Sequence, residues 1–108
     1  MSFIMRWIEI IRFRAAGKQT KGRSTEFSDL ISDVFNIHGQ ADVSIYANPL
    51  LRGDLCIQIF WNKETVATQG SRLGINLAQA LKRFGLVDHS VWIRVEDEEG
   101  VTINNAAQ

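Results

Sequence analysis

Residues 55–61 read Leu-Cys-Ile-Gln-Ile-Phe-Trp, and every second side chain from Leu55 is aliphatic. Successive side chains of a strand point to opposite faces, so this alternation predicts a strand with one face in the core. Residues 42–47, Asp-Val-Ser-Ile-Tyr-Ala, alternate in the same way. The turn-rich residues 48–54 join the two stretches, which therefore predict a β-hairpin.

A helix is predicted on each side of this hairpin. Ser24 or Thr25 would cap the first helix and Gly39 would end it, because glycine accepts the left-handed conformation found after helices. Ser71 would cap the second helix, and Gly85 would end it. Apolar residues recur at helical spacing in both segments. They are Phe27, Leu30, Ile31, Val34 and Phe35 in the first, and Leu73, Leu77, Ala78, Leu81 and Phe84 in the second.

Two further strands complete the chain. Residues 6–14 are rich in Trp, Ile and Phe, and residues 90–96 alternate around Trp92. The order β-α-β-β-α-β predicts one ferredoxin-like α+β domain over residues 1–108, with a four-stranded antiparallel sheet and both helices on one face. Short connections and right-handed crossovers would place the first and third strands in the centre, the fourth beside the first and the second beside the third.

The alternation divides the predicted sheet into two faces. We predict that the helices cover an entirely apolar set: Ile8, Ile10, Val43, Ile45, Ala47, Leu55, Ile57, Ile59, Val91, Ile93 and Val95. The opposite face would carry Trp7, Glu9, Ile11, Phe13, Ser44, Tyr46, Cys56, Gln58, Phe60, Trp92, Arg94 and Glu96. So many aromatic side chains exceed the apolar patch usual on a monomer. We therefore expect a homodimer that pairs through this aromatic face.

Polar groups interrupt the aromatic face near its predicted centre. Glu9 would neighbour Arg94 and Gln58, which places a carboxylate, a guanidinium and an amide among aromatic rings. A few polar groups in an aromatic-lined space are typical of a ligand pocket. A structural ion pair at the dimer interface explains the same residues equally well.

Composition restricts the partners that the chain would attract. Twelve basic residues balance twelve acidic ones among 108, so no overall charge favours nucleic acid or a membrane surface. Cys56 is the single cysteine and cannot form an internal disulfide, which favours a reducing, cytoplasmic setting. The apolar N-terminal stretch carries too many charges to span a bilayer.

Several weaker motifs have ordinary explanations. His38 and His89 lack partners at metal-ligand spacing, so no metal site is expected. Residues 70–74, Gly-Ser-Arg-Leu-Gly, could bind an anion at a helix start, but capping is the plainer interpretation. Basic residues in 18–23 (Lys18, Lys21 and Arg23) fit a solvated loop.

The pattern resembles the dimeric α/β-barrel superfamily, and within it the antibiotic-biosynthesis-monooxygenase-like group. The segments that carry the resemblance are Ile59-Phe60-Trp61, Ser71-Arg72-Leu73-Gly74, Leu77 to Leu81, Gly85-Leu86-Val87 and Trp92. The resemblance implies a relative of cofactor-independent quinone-forming monooxygenases, haem-degrading enzymes, isomerases and proteins with no known activity. Haem-degrading members use a histidine in the second helix, and this chain has none there.

Three functions follow as hypotheses. The first is a cofactor-independent monooxygenase-like enzyme for a small aromatic or quinone-type molecule in the barrel between two sheets, with Glu9 as general base and Arg94 stabilising an oxyanion. The second is a module that binds such a ligand without chemistry, and the third is a structural homodimer. The ligand-binding residues would be Trp7, Tyr46, Gln58, Phe60, Trp61 and Trp92.

Overall fold

The computed structural model describes residues 5–15, 25–36, 42–51 and 53–95. Four strands and two helices alternate in the predicted order, which confirms the ferredoxin-like βαββαβ fold. The elements are β1 (Met5–Ala15), α1 (Thr25–Phe35), β2 (Asp42–Ala47), β3 (Asp54–Lys63), α2 (Arg72–Leu81) and β4 (Gly85–Ile93).

The sheet has the strand order β2-β3-β1-β4, and every neighbouring pair is antiparallel. This is the predicted order. Glu9 lies at the centre of the sheet, opposite Ile59 of β3 on one side and Val91 of β4 on the other. Residues directly opposite each other share a face, so this register decides which side chains meet the helices.

Both helices bury apolar side chains against one face of the sheet. Phe27 and Val34 of α1 and Leu77 and Leu81 of α2 are almost inaccessible to solvent. They pack in one cluster with Ile57 and Ile59 of β3. The apolar spacing predicted both helical faces correctly, because a stripe at helical period must be buried to stabilise a short helix.

The predicted orientation of β1 is wrong. Trp7, Glu9, Ile11 and Phe13 were expected on the face without helices, but all four are buried on the helix-covered face. Ile8 and Ile10, predicted on the covered face, lie on the other. Glu9 therefore does not share a face with Gln58 or Arg94, and the predicted group of these three polar side chains is absent. The orientation is possible because neighbouring groups supply every hydrogen bond that a buried carboxylate needs.

The face without helices is called here the open face. The even-numbered residues of β1, β2, β3 and β4 lie on it, including the predicted Ser44, Tyr46, Cys56, Gln58, Phe60 and Trp92. Its large apolar side chains are well exposed: Tyr46 at 53%, Phe60 at 39%, Leu86 at 72% and Trp92 at 58%. Ile8 lies directly between Phe60 and Trp92, so an apolar row crosses three strands.

β4 begins at Gly85, five residues before the predicted start at residue 90. Lys82 ends α2, and a turn leads directly into the strand. Gly85 lies opposite Ala15, and a Cβ there would overlap the carbonyl oxygen of Arg14. A glycine is therefore needed where the chain passes close to the β1 backbone.

Several sequence predictions fall outside the described residues. They concern the helix signals at Ser24 and Gly39, the histidine His38, the acidic residue Glu96, the tail 97–108, and the basic loop residues Lys18, Lys21 and Arg23.

Candidate functional site

The Glu9 carboxylate is fully buried and accepts hydrogen bonds from three other segments of the chain. The indole Nε1 of Trp61 donates to Oε2 at 2.7 Å, and the backbone N–H of Ser71 donates to Oε1 at 3.1 Å. The Ser71 hydroxyl contacts Oε2, and His89 Nε2 lies 2.7 Å from Oε1. Four partners match the acceptor capacity of an ionised carboxylate.

The start of α2 forms one side of this network. Ser71 is the N-cap of α2, and its hydroxyl oxygen accepts the backbone N–H of Gly74 at 2.9 Å. A hydroxyl can accept and donate at the same time, so the Ser71 proton remains available for Glu9. The carboxylate thus occupies the helix N-terminus, where unpaired N–H groups and the helix dipole favour an anion. The anion-binding position that the sequence suggested at 70–74 holds a carboxylate of the same chain.

Gly74 provides the space for this carboxylate. A Cβ at Gly74 would overlap Oε1 of Glu9, and its two next contacts are also atoms of that carboxyl group. Gly74 is buried within α2, a position at which glycine ordinarily weakens a helix. The Glu9 carboxylate comes so close to the backbone of α2 that position 74 requires a glycine.

His89 of β4 forms the opposite side. Its side chain is 16% exposed, whereas Glu9 is completely enclosed. The imidazole supplies a donor to this carboxylate in the tautomer that carries the proton on Nε2. The adjacent Gly70 has a φ of 105°, and a Cβ there would contact the His89 ring. Glycine at 70 therefore allows both the left-handed turn before α2 and the close position of the imidazole.

In this geometry Glu9 has a structural role. It connects β1 to β3, to the start of α2 and to β4, and no part of it reaches solvent. A general base must come within hydrogen-bonding distance of the proton that it removes. The role of Glu9 as a base stays a prediction.

Trp61 connects the carboxylate to a pair of stacked indoles. The Trp7 and Trp61 rings lie 5.6 Å apart between centroids and are inclined by 19°. Both side chains are buried. Trp61 uses its indole N–H for Glu9, whereas Nε1 of Trp7 has no hydrogen-bond partner among the described residues. A buried indole N–H usually has an acceptor, so Trp7 is an exception that needs a reason.

Both tryptophans line a cleft of about 440 Å³ at the end of the sheet where β1 begins. We call it the tryptophan cleft. The covered-face row Trp61–Trp7–Ile93 borders the open-face row Phe60–Ile8–Trp92 there. The polar groups of the lining are Arg6, Arg94, Asp42 and Asn62. Aromatic walls with a few charged groups are typical of small-molecule sites.

A second cleft, of about 600 Å³, lies at the opposite end of the open face. Tyr46, Cys56 and Leu86 contribute to its lining. Its charged groups are paired with each other: Arg12 contacts Asp88 at 3.4 Å, and Arg14 contacts Asp54 at 3.2 Å.

The tryptophan cleft brings together five of the eight site residues predicted from sequence: Trp7, Phe60, Trp61, Trp92 and Arg94. Tyr46 lines the other cleft, and Gln58 lies on the open face between the two. Glu9 does not line the tryptophan cleft and is connected to its wall by the hydrogen bond from Trp61. Ser71 and His89 were not predicted as partners of Glu9. The sequence signals for them were the predicted helix cap at Ser71 and a histidine, His89, just before the predicted fourth strand.

No group of three or more His, Cys, Asp or Glu side chains in the described part of the chain could hold a metal ion. No helix among the described residues is long and apolar enough to cross a membrane.

Comparisons of the chain with protein-family models, with curated proteins and with solved structures found no match.

Proposed function

We propose that this protein binds a small aromatic or quinone-type molecule in the tryptophan cleft and works as a homodimer paired through the open face. The cleft itself carries the proposal, because it combines three indoles and a phenyl ring with an arginine that the sequence also singled out. Flat rings stack well on aromatic walls. The proposal agrees with the resemblance to the antibiotic-biosynthesis-monooxygenase-like group.

The open face supports the homodimer. Its row Phe60–Ile8–Trp92 and the exposed Tyr46 and Leu86 form apolar surface with no described element over it. Both helices lie on the opposite face. A second copy of the same face can cover this surface about a two-fold axis.

The charges of the open face favour a second copy over nucleic acid. Arg12 and Arg14 are each paired with a carboxylate of a neighbouring strand, and the chain has no net charge. Nucleic-acid surfaces need an excess of cationic groups to displace counterions. A face with exposed apolar rings and ion-paired arginines at one end, on a chain without net charge, instead suits a second copy of itself.

Catalysis is the second candidate, and the position of Arg94 in the cleft favours it. A guanidinium beside a bound hydroquinone would stabilise the oxyanion formed when the ligand loses a proton. In a cofactor-independent monooxygenase-like reaction, O2 would oxidise a ring CH2 to a carbonyl. One oxygen atom would enter the product and the other would leave as water with the two hydrogens.

Binding and pairing can be tested with duroquinone as the probe. Every ring carbon of duroquinone that bears no oxygen carries a methyl group, which hinders addition of the Cys56 thiol. We expect quenching of tryptophan fluorescence with saturation, and a dimer in sedimentation at micromolar concentration. Trp92→Leu should weaken binding, whereas Leu86→Ala, on the same strand but in the other cleft, should not.

A stable monomer, or quenching without saturation, would contradict the proposal. Oxygen uptake with phenolic substrates that carry a ring CH2 separates the two candidates. Uptake that Arg94→Gln abolishes supports the enzyme, and binding without uptake supports the non-catalytic module. A cytoplasmic location is part of the proposal and depends on the single cysteine.

A further inference from the structure

We infer that the outer edge of β4 is a second interface of this protein, at which β4 of another copy of the chain pairs antiparallel about a two-fold axis at His89. The pairing extends the sheet sideways to eight strands, four from each copy. The proposed homodimer stacks two open faces instead. The inference needs neither that stacking nor a ligand, so it goes beyond the proposed function and can be tested apart from it.

The backbone of β4 has one unoccupied side. β1 pairs with β4 on one side, and no described residue pairs with it on the other. The backbone N–H of Arg94, just after β4, donates to the carbonyl oxygen of Arg6 at 2.8 Å. Hydrogen-bonded positions recur at every second residue of an antiparallel pair, so the even-numbered residues of β4 bond to β1. The odd-numbered residues direct their N–H and C=O groups outward: Gly85, Val87, His89, Val91 and Ile93.

The outer edge of β4 lacks the features that commonly prevent strand addition. The strand has no lysine, arginine or proline, and its register with β1 continues without a bulge through all nine of its residues. Charged side chains, prolines and bulges are the usual means of blocking an exposed edge. β2, at the other edge of the sheet, is shorter, with six residues. β4 is therefore the better template for an added strand.

The side chains of β4 make another β4 the complementary strand. Residues 86–92 read Leu-Val-Asp-His-Ser-Val-Trp, and polarity changes in the same way in both directions from His89. Two antiparallel copies centred at His89 place Leu86 opposite the partner's Trp92. Val87 then lies opposite the partner's Val91. Leu86 and Trp92 are the exposed apolar side chains of β4, and this pairing covers both.

The charged residue of β4 favours this register over its neighbours. With the axis at His89, Asp88 lies opposite the partner's Ser90, whose hydroxyl can donate to the carboxylate. An axis at Asp88 would place two aspartates directly opposite each other, where like charges are destabilising. An axis at Ser90 would place Asp88 opposite the partner's Trp92. Each His89 ring stays with the Glu9 carboxylate of its own chain.

Amide hydrogen exchange, followed by NMR on the full-length chain, tests the edge directly. Outward N–H groups exchange rapidly when they are free and are protected when they are paired. A strand edge is a small interface, so we expect a Kd of about 100 μM for the pairing, which leaves the state at micromolar concentration unaffected. Between about 10 μM and about 1 mM the unpaired fraction falls roughly fourfold, and exchange at His89 and Val91 should slow by that factor.

The outer edge of β2 provides an internal reference for the exchange. The backbone N–H of Asn48 donates to the carbonyl oxygen of Asp54 at 3.0 Å, so the even-numbered residues of β2 bond to β3. Val43 and Ile45 therefore direct their N–H groups outward, as His89 and Val91 do. Their exchange should not depend on protein concentration.

Val91→Pro and Val43→Pro form a matched pair of variants. Each replaces a partly buried valine of an edge strand and removes an outward N–H, which leaves the hydrogen bonds to the neighbouring strand in place. Val91→Pro should abolish the association seen by sedimentation over the same concentration range, and Val43→Pro should leave it unchanged. Circular dichroism shows whether each variant is folded. If Val91→Pro is not folded, the exchange of the unaltered protein decides the question.

The outcomes separate this inference from the proposed homodimer. Exchange at His89 and Val91 that is rapid at every concentration overturns the inference, even where sedimentation shows a dimer. Protection that does not depend on concentration also overturns it, because another segment of the same chain would then cover the edge. A dimer that becomes a tetramer supports both interfaces. A monomer that becomes a dimer, with protection at His89 and Val91, supports the β4 edge and contradicts the pairing of open faces.

Discussion

Trp7 and Trp61 stack with their ring centroids 5.6 Å apart, yet only Trp61 has an acceptor for its indole N–H among the described residues. The two side chains are buried to the same extent, at 3% and 4% exposure. They face each other across β1 and β3. The same substitution at the two positions should therefore have different effects on stability.

Replacement of each tryptophan by phenylalanine tests this difference in stability. Trp61→Phe removes a hydrogen bond to a buried charged group, so we expect a loss of about 2–3 kcal/mol in the free energy of unfolding. Trp7→Phe loses similar packing but also removes an unpaired donor, and its cost should be smaller by at least about 1 kcal/mol. Urea unfolding followed by circular dichroism measures both. Equal losses would show that the Trp7 N–H is satisfied in solution.

Gly74→Ala tests the close approach of α2 to Glu9. In a helix this substitution ordinarily stabilises by about 1 kcal/mol. Here the new methyl group would overlap the Glu9 carboxylate, and we expect a loss of about 1–3 kcal/mol instead, which is the usual cost of overpacking.

The matched control for Gly74→Ala is the same substitution in a Glu9→Ala background. Without the carboxylate the methyl group has space, and Gly74→Ala should there be neutral or stabilising. Thermal unfolding of the four proteins completes the cycle. The same loss in both backgrounds would rule out the contact with Glu9 as the cause.

Glu9→Gln tests whether the buried carboxylate must be an acceptor of all four hydrogen bonds. Glutamine has nearly the same shape but presents an NH2 group to partners that donate. We expect a loss of about 3 kcal/mol in the free energy of unfolding, as when a buried charged network loses one member. Glu64→Gln, at an exposed position after β3, is the control and should leave the urea midpoint unchanged.

Trp92→Asp tests the homodimer. It would place a charge in the apolar row Phe60–Ile8–Trp92 of the open face, and we expect sedimentation to show a monomer with unchanged circular dichroism. Ile75→Asp introduces the same charge on α2, in the layer opposite the open face, and should remain a dimer. A dimer in both variants would place the interface elsewhere.

The four strands and two helices could be predicted from local patterns, since alternation and helical spacing are properties of short stretches. The hairpin at 42–61 and the cap at Ser71 are examples. The start of β4 could not be predicted, because residues 85–89 alternate poorly and depend on pairing with β1. The cleft residues Trp7, Phe60, Trp61 and Trp92 were identified as a set, although Trp7 was placed on the wrong face.

The sequence by itself determined the order of the elements and the faces of β2 and β3, because in each of these strands one side is uniformly apolar and the other is mixed. β1 carries apolar residues on both sides: Ile8 and Ile10 share one side with three arginines, and Trp7, Ile11 and Phe13 share the other with Glu9. The choice of the buried side was therefore a choice between burying Glu9 and burying the side with the arginines. Only the tertiary structure decided this. Trp61, Ser71 and His89 lie 52, 62 and 80 residues from Glu9 along the chain, and folding brings their donors to its carboxylate. These partners replace water around the carboxylate, so it can be buried. The side of β1 that carries Glu9 therefore faces the helices.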